Sequence, residues 1–455
     1  LDHFIPGGRL WGRNFAGTLV VLATMGASCP ALADDWSSDK ALETFDQVWE
    51  KVRDTHFDYG EIEQRWGEAR EELRPGAAEA ADNQALRKLL TELLGRVGSS
   101  HYAIVEASVM EHGLDRADPP RKGGRGPGAT GMTVRVVEGR VRIVRVDPDS
   151  PAARAGLEPG QVIRSVDEVE LDERIERVEG MEPGLSRRWS ESFLEAGLND
   201  WLGRPSAGST IAVVLEEQDG STRDLELTAD SVDSTPVRLG NLPPLNFNFQ
   251  SDTLNRNGSC VGYLRFSTWV PALTARVADV MPGFGECAGV VVDLRGNPGG
   301  VAGMIMPVAA YFVDEPTLLG TMISPEGKLE FRALPRRVEM DGTRVKPFSG
   351  PLAVIVDGLT ASTSEMFAAG IQATGRGRVF GSPTPGMALP AMLETLPSGD
   401  RLMYAFADYV DPDGNRVEGA GVQPDEPIAL TASTLRAGQD GPLEAAIEWI
   451  QESEQ

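Results

Sequence analysis

The spacing of apolar residues changes twice along this chain, and each change predicts a change of architecture. Leu42, Phe45, Val48, Trp49 and Val52 recur every three or four residues, as do Leu86, Leu89, Leu90 and Leu93. That period predicts amphipathic helices over residues 40 to about 93. From Met132 the period drops to two. Met132-Thr133-Val134-Arg135-Val136-Val137 and Val141-Arg142-Ile143-Val144-Arg145-Val146 alternate around Glu138-Gly139, predicting a hairpin. A short helix is expected at 151–157, a strand near 162–166, and a second hairpin of 211–215 with 223–227 around Asp219-Gly220. Residues 172 to 205, with Trp189, Phe193, Leu198 and Trp201, read as a helical insertion in this β-rich unit. From 258 to 430, apolar runs such as Leu352-Ala353-Val354-Ile355-Val356 alternate with helical segments, which predicts an α/β layer structure. An amphipathic helix is expected at 443–450.

Composition sharpens the picture. A formal net charge of -25 argues against nucleic acid or an anionic membrane surface as partner. The 455 residues imply two or three domains, the 41% hydrophobic content allows real cores, and 51 Gly with 31 Pro imply many turns. Arg9 and Arg13, the apolar run 15–23 and Ala31-Leu32-Ala33 predict a secretory signal cleaved after Ala33. Lipid attachment at Cys29 is the rival reading, against which Gly26 stands where a large aliphatic residue is wanted. No later stretch is apolar enough to span a bilayer. Asp118-Pro119-Pro120-Arg121-Lys122-Gly123-Gly124-Arg125-Gly126-Pro127-Gly128 reads as a basic linker. The expected division is a signal peptide at 1–33, a helical region at 34–112, a linker at 113–129, a β-rich domain at 130–232 and an α/β domain at 245–455. Localisation is expected to be periplasmic or secreted. Cys260 and Cys287 each precede a predicted strand; a disulfide and two buried thiols both remain open. There is no metal-type cysteine spacing, so neither metal nor cofactor is expected.

Candidate chemistry centres on Ser362. A buried strand delivers Asp357-Gly358, then Thr360-Ala361-Ser362-Thr363-Ser364-Glu365, and a helix follows at once. Ser362 would sit where free N–H groups and a positive helix end can stabilise an oxyanion. An N-cap without chemistry is the plainer reading, and Ser364 is a rival nucleophile. Three further segments bear on the reaction. In Asp293-Leu294-Arg295-Gly296-Asn297-Pro298-Gly299-Gly300 a strand leads into a glycine-rich turn that lacks the Gly-Lys-Ser/Thr ending of a phosphate loop. Gly98-Ser99-Ser100-His101-Tyr102 ends the helical region. Asp413-Gly414-Asn415-Arg416-Val417-Glu418-Gly419-Ala420-Gly421-Val422-Gln423-Pro424-Asp425 sets an acid among glycines.

Ser150-Pro151-Ala152-Ala153-Arg154-Ala155-Gly156-Leu157, followed by Pro159-Gly160 and Ile163, resembles a PDZ domain. That resemblance implies peptide addition to a sheet edge, with the terminal carboxylate at Thr130, Gly131, Met132 and Thr133. A scaffold role without peptide binding is the alternative. The motifs together resemble the carboxyl-terminal processing (tail-specific) protease family, which includes the tricorn core proteases; the fold implied for 245–455 is a crotonase-like α/β serine protease core. One branch of the family takes its base from a lysine about two dozen residues after the serine. Here that segment is Gly381-Ser382-Pro383-Thr384-Pro385-Gly386-Met387, and no lysine follows Ser362. A thioether cannot take the serine proton. The tricorn-like branch implies Ser362 as nucleophile, His101 as base, and Glu418 with Ser100 orienting it. It also implies Gly299 or Gly300 with Thr363 as the oxyanion hole. His56 reads as structural, Glu365 as the helix-start acid, and Asp293 and Arg295 as structural. The expected function is thus an exported serine endopeptidase that cleaves flexible or C-terminally tagged polypeptides through an acyl-enzyme, the PDZ domain recruiting a substrate with an apolar C-terminus. The rival is an inactive protein on the same fold that binds peptides or hydrophobic ligands.

Overall fold

The structure, a computed structural model, describes residues 36–107, 127–217, 220–232, 237, 247–256 and 258–453. The expected signal segment with His3 and Cys29, most of the linker, His112 and Asp219 lie outside them.

Three helices open the described chain: α1 (Ser38–Thr55), α2 (Tyr59–Glu79) and α3 (Asn83–Gly95). Ser37 and Asp82 cap α1 and α3 by accepting from Lys40 and Ala85 backbone N–H groups. Their apolar stripes meet in a core of Phe45, Val48, Trp66, Leu86, Leu90 and Leu93. His56 ends α1 instead of continuing it, stacked on Phe57, with Nδ1 accepting from the Asp58 N–H. After α3 the chain turns through Gly98, Ser100 and His101 into β1 (Ala103–Val105).

The period-two region forms a sheet of β2 (Met132–Val137), β3 (Arg140–Val146), β4 (Val162–Val166), β5 (Thr210–Glu216) and β6 (Thr222–Thr228), in that order. The insertion consists of a short helix at Asp172–Glu179 and α4 (Leu185–Gly203). Helix α4 lies along the edge strand β2 and sends Leu198 and Leu202 into a core with Val134, Ile143, Ile163 and Val213.

The α/β region is a six-stranded sheet. Its strands are β7 (Phe249–Arg256), β8 (Ser259–Phe266), β9 (Gly289–Asp293), β10 (Leu352–Val356), β11 (Arg378–Gly381) and, after the β12 and β13 hairpin below, β14 (Glu426–Pro427). All neighbours are parallel except β7 with β8. Alternation divides β9 and β10 between two cores, as a sheet covered on both faces requires. Val290, Val292, Val354 and Val356 pack under α5 (Thr363–Ala373) and Phe367, whereas Val291, Ala353 and Ile355 pack under α6 (Gly441–Ser453) with Ile447 and Ile450. Cys260 and Cys287 are disulfide-bonded at the starts of β8 and β9, closing a 27-residue separation. A loop of that size contributes roughly 3–4 kcal/mol in the chain-entropy account.

One feature crosses the expected domain division. The hairpin of β12 (Ala391–Thr395) and β13 (Arg401–Ala405) leaves the α/β region and pairs with β1, Ala103 opposite Met403. Leu389, Leu396, Leu402 and Tyr404 complete the core of the N-terminal helices. Arg87 clamps Asp400 through two bonds of 2.8 Å. A segment 300 residues downstream of the helices is therefore what anchors β1, and with it His101.

Candidate active site

The serine turn is built from β10 outward. Asp357 ends the strand, and its Oδ1 accepts from the Leu359 N–H and the Thr360 hydroxyl, curling the chain back. Ala361 N–H then reaches the Asn297 carbonyl at 3.0 Å, tying this turn to the glycine-rich one. Ser362 has φ 55 and ψ -122, a conformation that costs a non-glycine residue about 1–3 kcal/mol. Its N–H holds it there, donating to the Met387 carbonyl at 2.8 Å and to Glu365 Oε2 at 3.0 Å. Thr363, Ser364 and Glu365 are buried while Ser362 keeps part of its surface. Ser364 is unsuited to be the rival nucleophile: its buried Oγ accepts from Trp269 Nε1 at 2.8 Å.

Glu365 does more than begin a helix. Its carboxylate also accepts from the Thr384 hydroxyl and from the N–H groups of Gly386 and Met387, at 2.8 and 2.9 Å. Burial pushes its pKa up to about 7, against the pull of those donors. Met387, the residue at the expected lysine position, is thus bonded through both its backbone N–H and its carbonyl to the serine turn.

On the other side, Glu418 Oε1 accepts from the Ser100 N–H at 2.8 Å, and Oε2 from the Ser100 hydroxyl at 2.9 Å. Ala388 N–H also donates to Oε2 at 2.9 Å. Ser100 Oγ lies 2.7 Å from His101 Nδ1. A carboxylate only accepts, so the single Ser100 proton points at Glu418, and Nδ1–H must donate to Ser100. That tautomer leaves Nε2 with a lone pair. Burial raises the pKa of Glu418 and lowers that of His101 to about 4, so the ring is neutral at neutral pH. Residues 387 and 388 join the two sides: one holds Ser362, the next holds Glu418.

Gly299 packs directly on the serine. A Cβ there would lie 2.7 Å from Ser362 Cβ and 3.0 Å from the Thr363 nitrogen, and φ is +102. Its N–H is committed to Asn297 Oδ1 at 3.0 Å, so of the glycine pair Gly300 is the candidate oxyanion donor. Thr363 Oγ1 ties itself to the Gly300 carbonyl at 2.9 Å. Asp293 and Arg295 form a buried ion network with Arg265, Tyr263 and Asp440 behind the site.

The residues expected to hold a terminal carboxylate are arranged differently. Thr130 N–H donates to the Gly203 carbonyl at 3.1 Å, its hydroxyl to the Leu202 carbonyl at 2.6 Å, and the Met132 N–H points at Thr130 Oγ1. Gly131 gives its carbonyl to Asp147, and Thr133 pairs with Arg145 in the hairpin. Along the same edge Asn199 bonds Val134 through Oδ1 and Nδ2, both at 2.9 Å, and Glu195 accepts from the Val136 N–H at 2.8 Å. The edge is capped by α4, because helical side chains stand where an added strand would lie.

Residues 260–428 match the family model of peptidase family S41, and residues 142–181 match that of a PDZ domain. The carboxyl-terminal-processing protease of Picosynechococcus sp. is 26% identical over 285 residues, covering 62% of this chain. The aligned part spans 59% of that relative's length. The photosystem II D1 C-terminal processing protease has a similar fold, with TM-score 0.53 at 24% identity over 87% of this chain and 94% of that one. The tricorn protease matches with TM-score 0.50 at 16% identity over 92% of this chain and 37% of its own. The chain thus carries a match to a PDZ domain followed by a match to peptidase family S41 over residues 260–428.

Proposed function

We propose that this chain is an exported serine endopeptidase that cleaves flexible polypeptides through an acyl-enzyme, with His101 as base. The observation that carries the reading is the chain Glu418–Ser100–His101, joined through Met387 and Ala388 to a serine held in a strained helix-start conformation. His101 Nε2 takes the Ser362 hydroxyl proton as Oγ attacks the scissile carbonyl. Ser100 and Glu418 stabilise the imidazolium, and the N–H groups of Gly300 and Thr363 receive the oxyanion. The imidazolium then protonates the leaving amine. Water repeats the sequence on the acyl-enzyme and frees Ser362. The Cys260–Cys287 disulfide supports export, since such bonds persist in oxidising compartments. Docking of an apolar C-terminus on β2 requires α4 to move away first.

A fluorophosphonate serine probe and an unstructured peptide, applied to the wild type, Ser362→Ala and His101→Ala, test this reading. Labelling and cleavage are expected of the wild type only, with His101→Ala slower by about 10³-fold or more. Labelling that survives Ser362→Ala overturns the nucleophile. Peptide that binds the wild type but stays intact favours the binding-protein reading.

A further inference from the structure

A side chain of strand β2 reaches the base of the two turns that carry the candidate site. Arg135, in the middle of that strand, is 7% exposed, and Asp357 is 8% exposed. The guanidinium donates to Asp357 Oδ2 from Nη2 at 2.6 Å and from Nε at 3.1 Å, and Nη1 donates to the Val134 carbonyl at 2.8 Å. Glu195 Oε2 stands 3.5 Å from Nε. The other oxygen of Asp357 holds both reacting turns. Oδ1 accepts from the Gly296 N–H at 2.9 Å, at the start of the turn that carries Gly299 and Gly300. It accepts as well from the Leu359 N–H at 3.0 Å and from the Thr360 hydroxyl, just before Ser362. Arg135 also covers Gly296, where an added Cβ would lie 3.2 Å from Nη2.

We propose that Arg135 is a positioning residue for peptide hydrolysis: it orients Asp357, which sets the spacing between the oxyanion turn and the Ser362 turn. The proposal rests on the serine-peptidase reading above. A free carboxylate at Asp357 can rotate about its terminal torsion. One pinned through Oδ2 by a planar fork presents Oδ1 in a single direction. That oxygen then fixes the separation of the two backbone turns together with the Ala361–Asn297, Thr360–Leu294 and Thr363–Gly300 bonds. The domain bearing Arg135 is braced independently: Trp189 Nε1 donates to the Pro385 carbonyl at 3.0 Å, Ser192 Oγ to the Gly358 carbonyl at 2.6 Å, and Arg188 to the Gly419 carbonyl. Thus the fork is held on the site without any peptide on β2.

Arg135→Gln, Arg135→Lys, Asp357→Asn and the double variant Arg135→Gln/Asp357→Asn test this, using the full chain, an unstructured quenched peptide and the fluorophosphonate probe. Arg135→Gln is expected to lower kcat and the labelling rate together by about 10- to 100-fold, with KM within about twofold. Arg135→Lys is expected to recover part of the loss, and the double variant to be no slower than the worse single one, because the two residues act as a unit. A raised KM with unchanged kcat would overturn the proposal in favour of a substrate contact. So would unchanged kcat with only a lower melting temperature. If Arg135→Gln does not fold, Arg135→Lys with wild-type kcat overturns it equally, and a lowered kcat with preserved KM supports it. A wild type that labels at Ser362 while the Arg135 variants match it defeats this inference alone; a wild type that neither labels nor cuts defeats both.

Discussion

The serine side and the histidine side of the site are assembled over very different lengths of chain. Ser362 is held by Glu365, three residues on, and by Met387 in the same α/β region. Ser100 meets Glu418 across a separation of 318 residues, from the turn that leads into β1, a strand of another core. The first side forms once β10, α5 and the 384–388 segment have packed. The second needs the N-terminal helices to close around the β12–β13 hairpin. Contacts of such long range repay loop closure only late. The Ser362 turn is thus held within one core, whereas Ser100 and His101 are held by the packing of a second core against the first.

Substitutions that strike one side at a time separate the two. The largest effect is expected from Glu365→Gln, where the amide must turn its NH2 toward donors that a carboxylate satisfied. Ser362 then loses its strained conformation, and probe labelling and peptide cleavage should both fall by about 10²–10³-fold. Far-UV circular dichroism that stays native would show that the loss is local. Glu418→Gln breaks the other side. Its amide pushes the Ser100 proton toward His101 Nδ1, which favours the tautomer with Nε2–H, unable to act as base. A fall in kcat of about 10²-fold is expected, less than for a carboxylate bonded directly to the ring, because a hydroxyl intervenes. Equal activity of this variant and the wild type would remove Glu418 from the relay.

Docking itself is tested by Leu402→Ala, which empties a site at 0% exposure where the hairpin meets the helices. A loss of about 2–5 kcal/mol is expected in denaturant unfolding, with activity lost before the α/β core unfolds. The smallest effect concerns pH. His101 is held neutral down to about 4, whereas a free imidazole titrates near 6.5. The acid limb of kcat/KM should therefore lie near 4. The sign for stability follows: between about pH 6.5 and 4 the unfolded chain binds a proton that the folded one does not, so stability falls as pH falls. An acid limb near 6.5 would mean that the ring is solvated and the relay open.

Local patterns carried much of this in advance. Helical spacing marked 40–93, alternation marked the β2–β3 hairpin, and apolar runs marked β9 and β10. Each period reflects one-sided or two-sided burial of an element, which is written in consecutive residues. Glu365 was visible as an acid three positions after Ser362, but its four-donor role was not, because the donors at 384–387 have no local signature. Arg135 looked like any polar residue on an alternating strand, and Asn199 and Glu195 like any polar positions on a helix. Their partners, Asp357 and the β2 edge, lie in other elements.

The amino-acid sequence alone determined the elements, their order, the family motifs and the absence of a lysine after Ser362. Those depend on side-chain type and spacing, which short stretches of chain express. Only the tertiary structure decided that β1 borrows a sheet from residues 391–405, that α4 covers the β2 edge, and that Arg135 bonds Asp357 beside the Ser362 turn. Those are meetings of surfaces far apart in sequence, set by which buried polar groups and apolar faces can be satisfied together.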